Sequence, residues 1–250
     1  CLEMFFRDLP FVERIEGIRK AGYDAGEFWG FANKDLAAVA AKCRELGVTI
    51  TSMTAFGNSP GLNDASAHDV LVESLKAAVA AAKAVDCKRL IALSGNVIPK
   101  KTRCEQSANI IRGLKRMAPI AQDAGVTLVL ELLNSTYNHP NYFLDNAEDM
   151  AHIIRAVDHP NVKALYDIYH AGIMEGNIIE TIRATIDCIG HFHAAGIPGR
   201  NEMTQGEQNY PAICRAIDAT GFDGYLGLEY VPLKDPHESL VETREWLAQG

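Results

Sequence analysis

VKALYDIYHAG, residues 162–172, starts as an apolar run suited to a buried strand, yet within a few residues it carries Asp167 and His170. Strands of a covered parallel sheet read as near-continuous apolar segments. A carboxylate and an imidazole at the end of one therefore put polar chemistry where the chain leaves the core. Outward from this stretch the same unit recurs. The apolar or β-branched runs Leu2 to Phe6, Asp24 to Phe28, Val48 to Ala55, Arg89 to Leu93, Val126 to Leu132, Val162 to Asp167, Ile189 to Ala194 and Tyr225 to Tyr230 read as strands. Amphipathic segments lie between them, such as Phe11 to Ala21, Leu36 to Leu46, Ala67 to Val85, Glu105 to Ala124, Ala147 to Val157 and Tyr210 to Thr220. Eight β-then-α units predict an α/β chain folded as one (β/α)8 TIM barrel over residues 1–250, with a doubly wound open sheet as the alternative.

The links between these elements distinguish two rims. Helix-to-strand links are short and turn-like (LGVT, VDCK, AGVT, CIGH, TGFDG). Strand-to-helix links are longer and carry polar or aromatic residues: FGNSPGLNDAS, SGNVIPKKT, NSTYNHPNYFLDN and AGIPGRNEMTQGEQ. In such a barrel the strand-to-helix loops build the functional face, so these insertions predict a lidded site at the strand C-termini.

Composition narrows the ligand. The chain is 48% hydrophobic and 22% charged, ordinary for a soluble globular protein, and no apolar run reaches the length of a membrane span. A formal charge of −8 disfavours broad contact with phosphate backbones, which leaves a small molecule as the expected partner rather than nucleic acid or a membrane. The six cysteines are dispersed, with no CxxC pair and no zinc-ligand spacing, and are expected to be reduced thiols. The first residues lack a signal-peptide pattern, which suggests a cytoplasmic protein, although the sequence opens inside the first expected strand and an N-terminal targeting segment could have been trimmed. There is no GxGxxG, P-loop or GxSxG, so no organic cofactor and no serine nucleophile is expected. The Ala-rich helix VESLKAAVAAAKAV reads as an outer barrel helix, with contact between copies in a homo-oligomer as the alternative.

Four consecutive strands end in a candidate ligand: Glu131 in LVLELLN, Asp167 in ALYDIYH, His193 in GHFHAAG and Glu229 in GLEY. If each points in at the same rim, three carboxylates and one imidazole converge. That O/N set suits Mn2+, with Mg2+, Co2+ or Zn2+ as alternatives, and a cation would also resolve the repulsion among three buried carboxylates. Taken singly, a strand-end glutamate is ordinarily a solvated rim residue, and a lone His193 a hydrogen-bonded core histidine. The conjunction on neighbouring strands carries the expectation.

Several longer stretches, YDIYH followed by MEGN, IGHFHAAGIPGRNE, GEQNYPAI and GYLGLEYVP, resemble the xylose-isomerase-like barrels, and among them most closely the hydroxypyruvate isomerase family. The resemblance spans nearly the whole chain. It implies a divalent metal held by Glu131, Asp167, His193 and Glu229, with the two glutamates also moving protons. Members of the hydroxypyruvate isomerase group can carry Gln where this chain has His193, whereas the similar ketose 3-epimerases have His there. Conversely, Arg200 follows His193 by seven residues, as in the isomerase group; the epimerases place their Arg one residue closer.

The chemistry expected of these residues is removal of a proton from a carbon beside a carbonyl, through a cis-enediolate. One of Glu131 and Glu229 takes the proton, and the other returns it to the neighbouring carbon in an isomerase or to the opposite face in an epimerase. His170 is a candidate for binding a substrate hydroxyl, and Arg200 for gripping a carboxylate in a bidentate fork, or else for tethering its loop to Glu202. Glu27, Asn134 and Trp29 are further substrate-binding candidates; Trp29 and Phe56 could roof the pocket, and His139 is expected in a lid. Against the leading reading, an isomerase of hydroxypyruvate or a related hydroxy-keto acid or sugar, stand a ketose 3-epimerase, a lyase or dehydratase on keto-sugars, a DNA-repair endonuclease IV-like nuclease of the same superfamily, and a noncatalytic barrel.

Overall fold

Residues 1–249 are described by a computed structural model. Seven parallel strands form one sheet in sequence order: β1 (Ala25–Phe28), β2 (Thr49–Phe56), β3 (Arg89–Leu93), β4 (Thr127–Glu131), β5 (Val162–Asp167), β6 (Ile189–Ala194) and β7 (Leu226–Leu228). Helices cover the outside: α1 (Phe11–Lys20), α2 (Leu36–Leu46), α3 (His68–Ala84), α4 (Arg103–Ala124), α5 (Ala147–Val157), α6 (Ile168–Met174), α7 (Ile178–Thr185), α8 (Tyr210–Asp218) and α9 (Pro236–Leu247). The result is a nearly closed TIM barrel, and the open-sheet alternative falls away. Among the described residues no helix is long and apolar enough to cross a membrane. The six thiols are all unpaired; three are buried, two half-buried and Cys104 is exposed.

One expected strand is absent. Residues 2–6 form turns rather than a ladder, with Met4 N donating to Cys1 O (3.0 Å) and Phe6 at φ 53°. Leu2, Met4 and Phe5 are all buried, so the run packs into the core as apolar turns, and Phe6 in the left-handed region bends the backbone out of an extended path. The segment still bridges the first and last strands, because Cys1 N donates to Leu228 O (2.8 Å) and Leu2 N to Glu27 O (2.8 Å). The last strand is also shorter than expected, ending at Leu228, yet Glu229 N continues the ladder to Ala194 O at 2.9 Å.

Period-two alternation sorts each strand into an inner and an outer face. Ile91, Val129 and Leu165 form a separate buried cluster, while the alternate residues Leu90, Leu128, Leu130, Ala164 and Tyr166 join the larger core. Two residues beyond Val129 and Leu165, on the same face, come Glu131 and Asp167. His191 and His193 alternate in the same way on β6, and Leu165 pairs with His191 and Asp167 with His193. The functional side chains thus stand on an apolar floor.

Helix ends follow the local sequence. Thr102 and Glu105 form a reciprocal capping box, which starts α4 two residues earlier than its apolar period predicts. Gly47 and Gly125 stop α2 and α4 in the left-handed conformation, at φ 64° and 67°, and turn the chain directly into the next strand. At the other rim the loops bind one another. Tyr142 Oη donates to Glu131 O (3.0 Å) and accepts from Ser94 N (2.8 Å), Phe143 N donates to Gly95 O (2.9 Å), and Val97 N to Asn141 O (2.7 Å).

Candidate metal centre and substrate cavity

β5 passes into α6 with no loop between them. Asp167 ends the strand and caps the helix, its Oδ1 accepting from His170 N at 3.0 Å, which leaves Oδ2 turned to the barrel interior. Glu131, His193 and Glu229 join it: all four residues are buried, and a ligand atom from each lies within 4.8 Å of the others. His193 Nδ1 is central, 3.1 Å from Glu131 Oε1, 3.4 Å from Glu229 Oε2 and 3.9 Å from Asp167 Oδ2. The four side chains read from consecutive strand ends therefore do converge.

Charge crowding shows in the titration of the group. Burial pushes the Asp167 carboxyl up to about 7, against the pull of His193 and Arg200 and with help from the Glu229 and Glu131 carboxylates. Burial likewise raises Glu131. It works against ionisation of Glu229 too, but His193 and Arg200 outweigh it and hold that carboxyl below its ordinary range. Burial would lower His193; Glu27, Glu229 and Glu131 around it raise it well above an ordinary histidine. Three carboxylates and an imidazole converging out of water, with no thiolate, are a donor set that fits a hard or borderline divalent cation.

Over this cluster opens a cavity of about 230 Å³, lined by Trp29, Thr54, Ile91, Leu93, Glu131, Leu133, His139, Arg200 and Glu229. Its walls are largely apolar, with two carboxylates, one guanidinium and one imidazole facing in. Trp29 lines it through an indole whose Nε1 donates to Glu229 Oε1 at 2.6 Å. Arg200 pairs with Glu229 Oε2 and donates from Nε to Glu229 O (3.2 Å), its guanidinium 5.6 Å from the Tyr169 ring centre. The alternative tether to Glu202 is not formed: that carboxylate accepts instead from Leu233 N (2.8 Å) and Ser239 Oγ (2.9 Å). Arg200 has room beside Glu229 because it follows a tight turn, at φ 59° with its N donating to Gly196 O.

The remaining candidates fall in different places. His139 lines the cavity from its loop, its ring 5.3 Å from that of His170. His170 is fully buried and accepts at Nδ1 from Asn134 N (3.1 Å); burial, then Arg200, keeps it neutral, and its unpaired Nε2 lies 3.6 Å from Asp167 Oδ2. Asn134 is committed to its own loop and to His170, its Oδ1 accepting from Tyr137 N (3.0 Å) and Asn138 N (2.9 Å) and its Nδ2 lying 2.6 Å from His170 Nδ1. Phe56 is buried in the core rather than on the cavity wall. Glu27 lies beneath the cluster, where Oε2 accepts from Ser52 Oγ (2.8 Å) and His191 Nε2 (2.9 Å) and Oε1 faces His193 Nε2 at 3.3 Å. Sequence reasoning missed His191 and Ser52; the alternation in HFH, which puts His191 on the face of His193, was the available signal for the first.

A nearly closed parallel barrel with buried O/N donors at its strand ends defines the class, and comparison with known proteins supplies the family. A model of the xylose isomerase-like TIM barrel matches residues 15–250, and the chain belongs to that family. A protein of Danio rerio named putative hydroxypyruvate isomerase is 31% identical, the match covering 98% of this chain and 92% of that one. The 2-oxo-tetronate isomerase of Pectobacterium atrosepticum is 29% identical over 98% of this chain and 96% of its own length. Among solved structures, one titled AP endonuclease, family 2 from Brucella melitensis superposes with a TM-score of 0.90 at 25% identity, covering 98% of this chain and 96% of that one. An L-ribulose 3-epimerase gives 0.77 at 23% over 94% and 80%, a likeness of fold.

Proposed function

We propose that the protein is a divalent-metal-dependent isomerase of a small hydroxy-keto acid of the hydroxypyruvate or 2-oxo-tetronate type. The observation that carries this reading is that Glu131 and Glu229, both buried, line one compact cavity together with Arg200. The names of the two relatives agree with it.

Glu131, Asp167, His193 and Glu229 would hold the cation, Mn2+ being our choice for this donor set. Bound there, it supplies positive charge beside substrate oxygens on which negative charge develops. The chain's own groups do the rest. One glutamate removes a proton from the carbon beside the carbonyl, the other delivers a proton to the carbonyl carbon, and the hydroxyl proton passes between the two oxygens, converting the ketone and alcohol into the alternative pair through an enediolate. Arg200, at the cavity wall, offers a planar fork to the substrate carboxylate. Trp29 and His139 limit the entry of water over the reacting carbons, which protects the enediolate and strengthens the electrostatics.

A ketose 3-epimerase is the second reading, favoured by His193 as the nitrogen donor. In it the two glutamates would serve opposite faces of a single carbon. The test is proton NMR in D2O with Mn2+-loaded protein and a panel of hydroxypyruvate, 2-oxo-tetronates and ketoses, quenched and freed of metal before recording. Deuterium entering a hydroxy-keto acid with formation of its aldehyde isomer supports the proposal. Exchange confined to C3 of a ketose supports the epimerase, and no exchange with any compound overturns both.

A further inference from the structure

Glu27, a substrate-binding candidate in the sequence, lies beneath the cluster and is absent from the cavity wall. It sits at the inner end of a buried relay, 3% exposed, with His191 fully buried and His193 1% exposed. Oε2 is occupied by two donors, Ser52 Oγ at 2.8 Å and His191 Nε2 at 2.9 Å. That leaves Oε1, 3.3 Å from His193 Nε2 and 4.0 Å from Cys1 N; neither Oε1 nor Nε2 makes a hydrogen bond among the described residues, and each is the other's nearer charged neighbour. The opposite ring nitrogen, Nδ1, is the one that faces Glu131, Asp167 and Glu229.

From this we infer that Glu27 is a positioning residue for the metal centre: it holds the proton of His193 on Nε2, so that Nδ1 presents its lone pair to the cation. The inference rests on the metal-dependent reading above. A carboxylate behind a ligating imidazole fixes both the tautomer and the ring orientation. Ser52 and His191 in turn fix the carboxylate, and they do so from β2 and β6, on either side of the barrel interior. The fold also reserves space for it. Gly227, paired with His193 across β6 and β7, would carry a Cβ 2.3 Å from Glu27 Oε1 and 2.7 Å from Oε2. A larger residue at 227 forces the carboxylate to shift from its place behind His193, which fits a glycine in the middle of a three-residue strand.

The test uses the whole chain, Glu27→Gln and Gly227→Ala. Calorimetry with Mn2+ should give about a ten- to hundredfold weaker affinity in both variants. In Zn2+-loaded protein with 15N-labelled histidine, the Nε2–H signal of His193 should be lost or shifted in both. Gly227→Ala keeps every polar group and carries the test if Glu27→Gln does not fold. Unchanged affinity with an unchanged His193 spectrum in folded Glu27→Gln overturns the inference. Unchanged metal affinity with a raised KM overturns it in favour of substrate contact. Two Mn2+ ions per unaltered chain, falling to one in Glu27→Gln, overturn it in favour of Glu27 and His191 as ligands of a second ion. If the unaltered chain binds no divalent metal, the proposed function fails; the metal-free spectrum at alkaline pH then still decides which nitrogen Glu27 holds.

Discussion

The two halves of the candidate metal centre are held by different means. Glu131, Asp167 and His193 stand on β4, β5 and β6, whose ladder runs from Leu128–Val162 through Asp167–His193 with one register shift, between Ala164 and Leu165. Glu229 lies just past a three-residue strand, beside the one seam that is bridged by Cys1 and Leu2 instead of by a continuous ladder. Its position comes from Ala194 O below, Trp29 on one oxygen and Arg200 on the other. Backbone pairing fixes the first half through many cooperative bonds. The second half depends on a few side chains that also face the cavity, so mutations there should disturb the position of Glu229 and binding together, whereas those in the ladder half should leave the backbone geometry intact.

The largest effect should come from the ladder half. Glu131→Gln removes a proton-transfer group without altering the strand, and kcat should fall about a hundred- to ten-thousandfold with an unchanged circular dichroism spectrum. Full activity would take Glu131 out of the mechanism. His193→Ala deletes a ligand outright, so its Mn2+ affinity by calorimetry should fall by more than the roughly hundredfold ceiling expected of an outer partner such as Glu27. An unchanged affinity would break the four-donor centre. On the seam side, Arg200→Ala should raise KM for acidic substrates by about ten- to a hundredfold, the worth of a charge-assisted contact, and leave neutral ketoses alone. An equal rise for both would mean that the residue only supports Glu229.

The pH dependence follows from Asp167, which burial pushes up to about 7. A raised carboxyl stabilises the metal-free fold fully below its ordinary titration range, and that stability is lost as pH rises through about 7. A cation must displace the same proton and also the one His193 carries, so Mn2+ affinity should climb by more than about tenfold per unit as pH approaches 7 from below. Calorimetry at pH 6 in buffers of different ionisation enthalpy should register proton release; none would place Asp167 outside the centre. The smallest change is Trp29→Phe, which keeps the aromatic wall and removes the Nε1 donor from Glu229. A loss of about 1 kcal/mol, or fivefold in kcat/KM, is expected.

How much of this the sequence disclosed depends on how far each feature reaches along the chain. The convergence of Asp167 and His193 was legible because each ends an apolar run, and strand order then put the four candidate ligands on adjacent strands. The missing first strand was not, since Leu2, Met4 and Phe5 are apolar enough for a strand and are buried in the turn as they would be in one. Nor was the assignment of Glu27 beneath the cluster, because its partners Ser52, His191 and Gly227 come from β2, β6 and β7, and no local pattern links them. Arg200 shows the same limit: Glu202 is its neighbour in sequence, but the turn at φ 59° sends the guanidinium across to Glu229. Local periodicity revealed what one strand does alone, while contacts across the barrel needed the closed fold.

The absence of a loop between β5 and α6 bears on how this enzyme can move. Every other site-bearing strand is followed by several residues of irregular chain before its helix, but Asp167 is the last residue of one element and the cap of the next. There is no joint at which α6 could swing while the carboxylate stays still. Opening for substrate entry and product escape must therefore be carried by the loops after β2, β3, β4 and β6, rocking against a fixed pillar that runs from the floor of the barrel through Asp167 into the first turn of α6.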